Sequence, residues 1–224
     1  MSYGQITERT PLLVIYGAGG MARELAWQAE SCPEIGRVVA LLDDDPAEHG
    51  RVVNDIAVMG LPEARRRFPD ARFVVGIGDP HHRQRMAERI AATGGTFATL
   101  LHPRVERSRW IEIGDGTVIC AGSILTTNIV LGRHVQINRS CDVGHDVIMG
   151  DYATLGPGVR VSGRVRIGAR AYLGTGATVI NGTADTPLLI GDDAVVGAGA
   201  CVVRPVAAGT TVMGVPARVR DARQ

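Results

Sequence analysis

The sequence predicts a small α/β domain followed by a left-handed parallel β-helix, and three observations lead there. Within residues 113–202 an aliphatic side chain recurs every six positions, with one longer interval between Val179 and Ile190. A glycine often follows it, and a small or β-branched residue stands four positions after it. Before the repeat, apolar runs alternate with helical stretches. A six-residue period does not fit the α-helical turn, but it is typical of a short strand with a turn.

The repeat predicts the direction of most side chains in the second part of the chain. Three six-residue units make one triangular coil, and successive coils stack at about 4.8 Å. The aliphatic residues are expected to point into the prism and the glycines that follow them to form its corners. Each inward side chain contributes roughly 1.5–3 kcal/mol of burial free energy before ordering entropy is subtracted. The aliphatic positions are Ile113, Ile119, Leu125, Leu131, Ile137, Val143, Met149, Leu155, Val161, Ile167, Leu173, Val179, Ile190, Val196 and Val202.

Composition narrows the class of protein. The chain has 24 Lys and Arg against 23 Asp and Glu, so its charge gives no argument for binding nucleic acid. No apolar run is long enough to cross a bilayer and no signal peptide precedes the first predicted strand, so we expect a cytoplasmic protein without membrane insertion. The four cysteines show neither metal-ligand nor disulfide spacing, which predicts reduced thiols.

The first part of the chain, residues 1–101, is expected to form an open sheet of parallel strands that resembles half of a dinucleotide-binding fold. Strands are predicted at 12–16, 38–42, 72–77 and near 97–101, and helices at 21–30 and 81–92. Alternating strands and helices are typical of this architecture. The β-helix domain is then expected to comprise residues 102–224.

A glycine loop directly follows the first predicted strand. Gly17, Gly19 and Ala22 match G-x-G-x-x-A before a helix, and Asp43 lies about twenty-four residues beyond Gly19. Backbone N–H groups at a helix N-terminus attract phosphate oxygens. The pattern is compatible with a nucleoside diphosphate, with NAD(P), or with a purely structural turn. Asp43 and Asp44 could bind ribose or base, or could simply form an acidic turn.

His145 is the candidate catalytic side chain of the repeat. It follows Gly144, so it should face outward from a corner, with Asp146 beside it. An imidazole oriented by a carboxylate suits a general base at neutral pH. From the residues alone, the alternative that His145 is an exposed corner residue without a function stays open. No metal is expected, because a zinc site of this kind needs three histidines, His134 lies on another face, and His102 precedes the repeat.

Taken together, these features resemble the bacterial nucleotide-sugar acetyltransferases. That family includes N-acetyltransferases of UDP-linked bacillosamine precursors and of GDP-perosamine, and a sialic acid O-acetyltransferase branch. The resemblance extends over about residues 12–218. It is carried by the glycine loop, by Gly144-His145-Asp146, by Gly-Ala-Gly-Ala at 197–200 and by Gly-Val-Pro-Ala-Arg at 214–218.

The resemblance implies roles for individual residues. His145 would take a proton from the sugar amine, Asp146 would raise its basicity, and the Gly163 amide would stabilise the oxyanion. The nucleotide sugar would contact Ala18, Gly19, Gly20, Asp43, Asp44, Gly78 and Asn138. Acetyl-CoA, the implied co-substrate, would contact Thr154, Gly163, Thr175, Gly197 and Ala198. Many members carry a histidine where this chain has Thr154, so the acyl site differs in detail.

The implied activity is N-acetylation of a nucleotide-linked 4-amino-deoxy sugar, in a homotrimer with active sites between subunits. A threefold ring is a closed symmetry that suits a triangular prism. Direct transfer is expected, because Cys120 and Cys141 lack an activating partner and no Ser–His pair is evident. The alternatives are O-acetylation of a sugar hydroxyl on the same fold, and a non-catalytic nucleotide-binding protein that uses the β-helix to form trimers.

Overall fold

The structure, a computed structural model, describes residues 10–220 of a chain that divides into two compact units, one ending at Pro103 and the other beginning at Arg104. The N-terminal unit contains β1 (Leu12–Tyr16), α1 (Gly20–Ala29), β2 (Arg37–Leu42), β3 (Val52–Val53), β4 (Ile56–Met59), α2 (Leu61–Arg67), β5 (Arg72–Val75), α3 (Pro80–Ala92) and β6 (Leu100–Leu101), with one 3₁₀ turn at Pro46–Glu48. Across the described residues, no helix is both long and apolar enough to cross a membrane.

The sheet of this unit has the strand order β3-β4-β2-β1-β5. All neighbours are parallel except β3, which pairs antiparallel with β4. The central strand β1 is apolar and buried on both faces, as its continuous apolar run predicted. Because β2, β1 and β5 are parallel, their carboxyl ends lie at the same edge of the sheet. The glycine loop, Asp43 and Gly78 follow those three ends.

Two local features differ from the sequence prediction. The β3–β4 hairpin and helix α2 were not predicted, although Asn54-Asp55 between two apolar runs is a hairpin signal. Both residues have positive φ, 47° and 62°, as two-residue hairpin turns require. The fourth parallel strand expected near 97–101 is wrong, because β6 is not among the strands of this sheet. Phe97 forms a single parallel bridge with Phe73, and β6 contains only two residues.

The second unit is a left-handed parallel β-helix, as predicted, with three faces of short parallel strands. Face I contains β9 (Val118–Ile119), β12 (Gln136–Ile137), β15 (Thr154–Leu155), β18 (Tyr172–Leu173), β21 (Val195–Val196) and β23 (Thr211–Met213). Face II contains β7 (Glu106–Arg107), β10 (Ile124–Leu125), β13 (Asp142–Val143), β16 (Arg160–Val161), β19 (Thr178–Val179) and β22 (Cys201–Val202). Face III contains β8 (Ile111–Ile113), β11 (Ile129–Leu131), β14 (Ile148–Met149), β17 (Val165–Ile167) and β20 (Leu188–Ile190). The last described strand, β24 (Arg218–Val219), returns antiparallel to β23.

The inward direction of the aliphatic side chains is confirmed. From Ile119 to Val202 every one of them is at most 2% exposed. The small and β-branched residues four positions on are buried as well, including Thr117 and Ser123. The two hydroxyl groups donate to backbone carbonyls of the next coil, so their burial leaves no unmet donor.

The residues that turn the chain at the corners of the prism are not the glycines that the sequence predicted. Corner A joins face III to face I, corner B joins face I to face II, and corner C joins face II to face III. From Leu125 to Val196, except at the insertion after Val179, the residue three positions after each inward aliphatic residue adopts the left-handed conformation, rather than the residue one position after it. The non-glycine examples, with φ between 54° and 63°, are Asn128, His134, Ser140, Asp146, Tyr152, Arg164, Arg170 and Asp193.

The glycines that directly follow the aliphatic residues serve the stacking of coils instead. None of them has a positive φ. A Cβ at Gly150 would lie 2.6 Å from the backbone nitrogen of Ala169, and one at Gly132 would lie 2.7 Å from that of Asp151. Backbone of the next coil therefore occupies the space of a side chain. Glycine is required here by close approach and not by its conformational freedom.

Gly150→Ala tests this distinction against Gly158→Asn. Gly158 has φ +70° and open space at its Cβ position. We expect Gly150→Ala to lower the free energy of unfolding by about 1–3 kcal/mol, because backbone must move. Gly158→Asn should change it by less than about 1 kcal/mol, because Asn tolerates this conformation. Urea unfolding of both variants measures the difference, and equal losses would contradict the assignment.

Candidate active site

His145 and Asp146 form a hydrogen-bonded pair at corner C, between β13 and β14. His145 Nδ1 lies 2.8 Å from Asp146 Oδ2, and the imidazole is half exposed. The hydrogen bond from His145 is the main cause that holds the pKa of Asp146 below its ordinary value. The carboxylate is therefore ionised near neutral pH and can only accept, so the Nδ1 atom carries the shared proton. The neutral imidazole then presents Nε2 as its basic atom.

Gly163 stands one coil beyond His145 at the same corner. A Cβ on Gly163 would lie 2.4 Å from His145 Nε2, so the imidazole occupies the space beside this glycine. The backbone conformation does not require glycine here. Ala169 and Thr175 occupy the equivalent position, two residues after the inward aliphatic residue, at the other two corners of the same coil. Glycine at position 163 therefore makes room for the histidine ring.

The Gly163 amide N–H is available to a ligand. Within residues 10–220 it donates no hydrogen bond. At the equivalent slot, the N–H groups of Arg133 and Ala169 are capped by the carboxylates of Asp151 and Asp192, at 2.7 and 2.9 Å. At corner C the residue one coil after Gly163 is Asn181, which has no carboxylate to accept from the Gly163 N–H. A basic nitrogen and a free amide donor thus lie together.

The other residues expected around acetyl-CoA lie elsewhere on the prism. Thr175, Gly197 and Ala198 lie at corner B, which face II separates from corner C within one chain. Thr154 lies on face I and is 1% exposed. Their contacts with acetyl-CoA stay predictions.

Asn138 also belongs to corner B and is largely buried. Its side-chain amide donates to the carbonyl oxygen of Leu155 at 2.8 Å, which links two successive coils. Its contact with a substrate stays a prediction.

The insertion in the repeat leaves the prism at corner C, one coil beyond Gly163. Gly182 N donates to Gly163 O and Leu188 N donates to Arg164 O, both at 3.1 Å. The intervening turn is closed by Thr186 N, which donates to Thr183 Oγ1 at 3.0 Å. The structure attaches this loop to the backbone that carries the Gly163 amide.

The glycine loop of the N-terminal unit turns sharply from β1 into α1. Gly17 has φ +117°, and its N–H donates to Leu42 O at 2.8 Å, which turns the chain sharply after β1. Helix α1 begins at Gly20 and no side chain caps its N-terminus. Open space surrounds the Cβ positions of Gly19 and Gly78. Of the predicted substrate residues, Ala18, Gly19, Gly20, Asp43 and Gly78 thus follow neighbouring strand ends.

Asp44 already has partners, which the sequence did not reveal. Tyr16 donates to Asp44 Oδ1, and Arg89 of α3 donates to Asp44 Oδ2 at 2.5 Å. Burial opposes ionisation, but the hydrogen bonds from Arg89 and Tyr16 outweigh it and lower the pKa of Asp44. The pKa of Tyr16 is raised, chiefly by burial and then by Asp44. Asp43 Oδ1 accepts from Asp45 N at 3.0 Å in a local turn.

Cys141 and Cys120, two cysteines of the repeat, are buried. Burial raises the pKa of the Cys141 thiol to about 12, so it is protonated at neutral pH. Cys120 is equally buried. Among the described residues no group of three or more His, Cys, Asp or Glu side chains is placed to hold a metal ion. His134 lies at corner A, where it stacks on Tyr152 with 5.0 Å between ring centroids.

Comparisons with known proteins agree with this architecture. Residues 12–90 match the PglD N-terminal domain, and residues 128–163 match the bacterial transferase hexapeptide of six repeats. A curated relative, UDP-N-acetylbacillosamine N-acetyltransferase of Bacillus subtilis strain 168, is 36% identical over 87 residues. That match spans 38% of the present chain and only 40% of the relative.

Two solved structures match almost the whole chain. PerB of Caulobacter crescentus, in complex with CoA and GDP-perosamine, is 32% identical with a TM-score of 0.84, and the match covers 93% of this chain and 97% of that one. The acetyltransferase domain of PglB from Neisseria gonorrhoeae FA1090, in complex with acetyl coenzyme A, is 30% identical with a TM-score of 0.84. Here the match covers 94% and 100% of the two chains.

The fold and its corner histidine define a hexapeptide-repeat transferase with a PglD-type N-terminal domain. The chain belongs to the family of bacterial nucleotide-sugar acetyltransferases, as the resemblance in its sequence predicted.

Gly163→Ala tests the packing of His145. The added methyl group would meet the far end of an exposed ring, which can swing away at little cost. We therefore expect the free energy of unfolding to change by less than about 1 kcal/mol. Acetyl transfer should fall by at least about 100-fold if His145 takes part in it, because the imidazole leaves its position beside the amide. Thermal unfolding and CoA release measure the two effects, and full activity in this variant would refute the packing argument.

Asp44→Asn tests the ion pair in the N-terminal unit. A lowered folded-state pKa means that the carboxylate stabilises the fold above its unfolded value of about 3.9, and that this contribution is lost as pH falls through the folded value. The variant should be less stable than the native chain near neutral pH, and the difference should disappear in strong acid. Urea unfolding across pH measures it, with Asp70→Asn, an exposed turn residue, as control. A pH-independent difference would contradict the pairing.

Proposed function

We propose that this protein transfers the acetyl group of acetyl-CoA to the amino group of a nucleotide-linked 4-amino-deoxy sugar. The observation that carries the proposal is the imidazole of His145, oriented by Asp146 and packed beside the free amide of Gly163. The relatives support the acceptor class. One binds CoA with GDP-perosamine, and another is a UDP-N-acetylbacillosamine N-acetyltransferase.

His145 is the general base of the proposed reaction. Nε2 takes a proton from the sugar nitrogen as that nitrogen attacks the thioester carbonyl. Asp146 accepts the hydrogen bond from Nδ1, which fixes the tautomer and stabilises the imidazolium that forms. A general base of this kind contributes roughly 10²–10⁴-fold to the rate.

The Gly163 amide stabilises the charge that develops on the carbonyl oxygen. Its N–H is rigidly placed by the coil, because the Gly163 carbonyl accepts from Gly182 N and the next residue, Arg164, donates to His145 O at 2.8 Å. Loss of one such donor typically costs about 3 kcal/mol in the barrier. The C–N bond forms, the C–S bond breaks, and CoA leaves as the thiolate. The proton that His145 has taken passes to that thiolate or to solvent.

The position of the predicted acetyl-CoA residues favours an assembly of chains. Thr175, Gly197 and Ala198 lie at corner B, whereas His145 lies at corner C of the same prism. One chain therefore does not bring these residues to its own base. In the proposed homotrimer, corner C of one chain faces corner B of the next, and each active site uses both.

The nucleotide is proposed to bind at the glycine loop of the N-terminal unit. The uncapped N-terminus of α1 offers backbone N–H groups to the diphosphate. Gly19 and Gly78 leave room for a close approach, and Asp43 follows the neighbouring strand. Asp44 is a less suitable ribose ligand than its sequence position predicted, because Tyr16 and Arg89 occupy both of its oxygens.

His145→Ala tests the general base. We expect turnover to fall by at least about 100-fold, because the amine keeps its proton as it attacks. Binding of acetyl-CoA should be preserved, since the imidazole acts on the acceptor. CoA release with a 4-amino nucleotide sugar measures the first quantity and calorimetry the second.

Arg160→Ala, which removes an exposed side chain from the next coil, is the matched control and should keep native turnover. Near-native turnover in His145→Ala would remove the base from the mechanism. Release of CoA with the matching 4-hydroxy sugar but not with the amine would assign O-acetylation instead. No CoA release with any nucleotide sugar would favour a non-catalytic protein.

A further inference from the structure

The residues at corner C form a column along the axis of the prism. Asn128, Asp146 and Arg164 follow one another at intervals of 18 residues, which is one coil. All three adopt the left-handed conformation, with φ of 54°, 59° and 58°. Because their backbones are equivalent, their side chains leave successive coils in the same direction and can meet.

The contacts within this column converge on Asp146. Asn128 Nδ2 donates to Asp146 Oδ1 at 3.3 Å, from the coil before. Arg164 Nε lies 3.8 Å from Asp146 Oδ2, from the coil after. Asp146 Oδ2 also accepts from His145 Nδ1 at 2.8 Å. Each carboxylate oxygen therefore has a partner outside its own coil, and rotation of the carboxylate would break one of these contacts.

We propose that Asn128 and Arg164 are positioning residues of the acetyl-transfer site, which hold the Asp146 carboxylate so that it keeps His145 with Nε2 free to accept a proton. This rests on the proposed role of His145 as the base. The two residues have different parts. Asn128 is neutral and fixes the orientation of the carboxylate, whereas Arg164 adds a positive charge on the far side.

The charge of Arg164 also acts on the ionisation of Asp146. Asp146 is faced by Asn128 and Thr127 from the coil before, by Arg164 from the coil after, and by His145 in its own coil. After the hydrogen bonds from His145 and Asn128, the positive charge of Arg164 helps to hold the pKa of Asp146 below its ordinary value. An ionised carboxylate can only accept, so Nδ1 of His145 keeps the shared proton.

Arg164→Gln is the first test, with Arg164→Lys and Arg166→Gln as controls. Lysine keeps the charge, and Arg166 is an exposed arginine on the outward side of β17 in the same coil. In Arg164→Gln kcat should fall by about 2- to 5-fold with KM for acetyl-CoA unchanged, the effect of losing one exposed ion pair on the orienting carboxylate. The two controls should keep native kcat.

Asn128→Gly is the second test, with Asn54→Gly in the β3–β4 hairpin as its control. Both asparagines have positive φ, 54° and 47°, so glycine is free of backbone strain at each. Asn128→Gly should lower kcat about tenfold with KM for acetyl-CoA unchanged, which is typical when the orienting partner of a functional side chain is lost. Asn54→Gly should leave kcat unchanged.

The NMR signal of the His145 Nδ1 proton separates this proposal from the proposed function. It should broaden in Asn128→Gly and in Arg164→Gln whether or not acetyl transfer occurs, because a carboxylate that is held less firmly leaves the Nδ1–H open to exchange with water. If the native chain releases no CoA but the signal responds as described, the proposed function fails and the positioning arrangement stands. If the signal and kcat are unchanged in both variants, or change equally in Arg166→Gln, the positioning role is refuted.

Discussion

The close stacking of one coil on the next is the constraint on which the β-helix depends. Parallel strands on all three faces pair only if successive coils lie about 4.8 Å apart. At that spacing the backbone of one coil fills the place of a side chain on its neighbour, as the Cβ position of Gly150 against Ala169 N illustrates. Glycine therefore leaves space for the next coil at positions such as 150, directly after the aliphatic residue. The left-handed residue three positions after the aliphatic one turns the chain at the corner.

The same stacking builds the candidate active site without a long loop. Residues one coil apart become neighbours, so His145 meets Gly163 and Asp146 meets Asn128 and Arg164. These groups stand on a rigid lattice of backbone hydrogen bonds, which limits their reorganisation during reaction. The insertion at 183–187 leaves at this corner, next to Gly182, whose N–H donates to Gly163 O.

The candidate nucleotide site of the N-terminal unit is built differently. Its residues follow the ends of parallel strands and do not stand on stacked coils. A glycine loop and an uncapped helix supply backbone donors, while a network of Tyr16, Asp44 and Arg89 ties β1, the segment after β2 and α3 together. The network shows why an acidic residue in the right place is not necessarily a ligand. Its carboxylate stabilises the fold through partners distant in sequence.

The sequence alone determined the architecture of both units and the expectation that His145 acts with Asp146. Periodicity and strand–turn–helix order are local properties, so they can be read without coordinates. Even the missed β3–β4 hairpin had a local signal in Asn54-Asp55. Only the tertiary structure decided the roles that depend on contacts across coils and strands. It showed that glycines such as Gly150 serve stacking, that Asp44 is engaged by Arg89, and that Thr175 lies one face away from His145, because these facts depend on which backbones lie side by side.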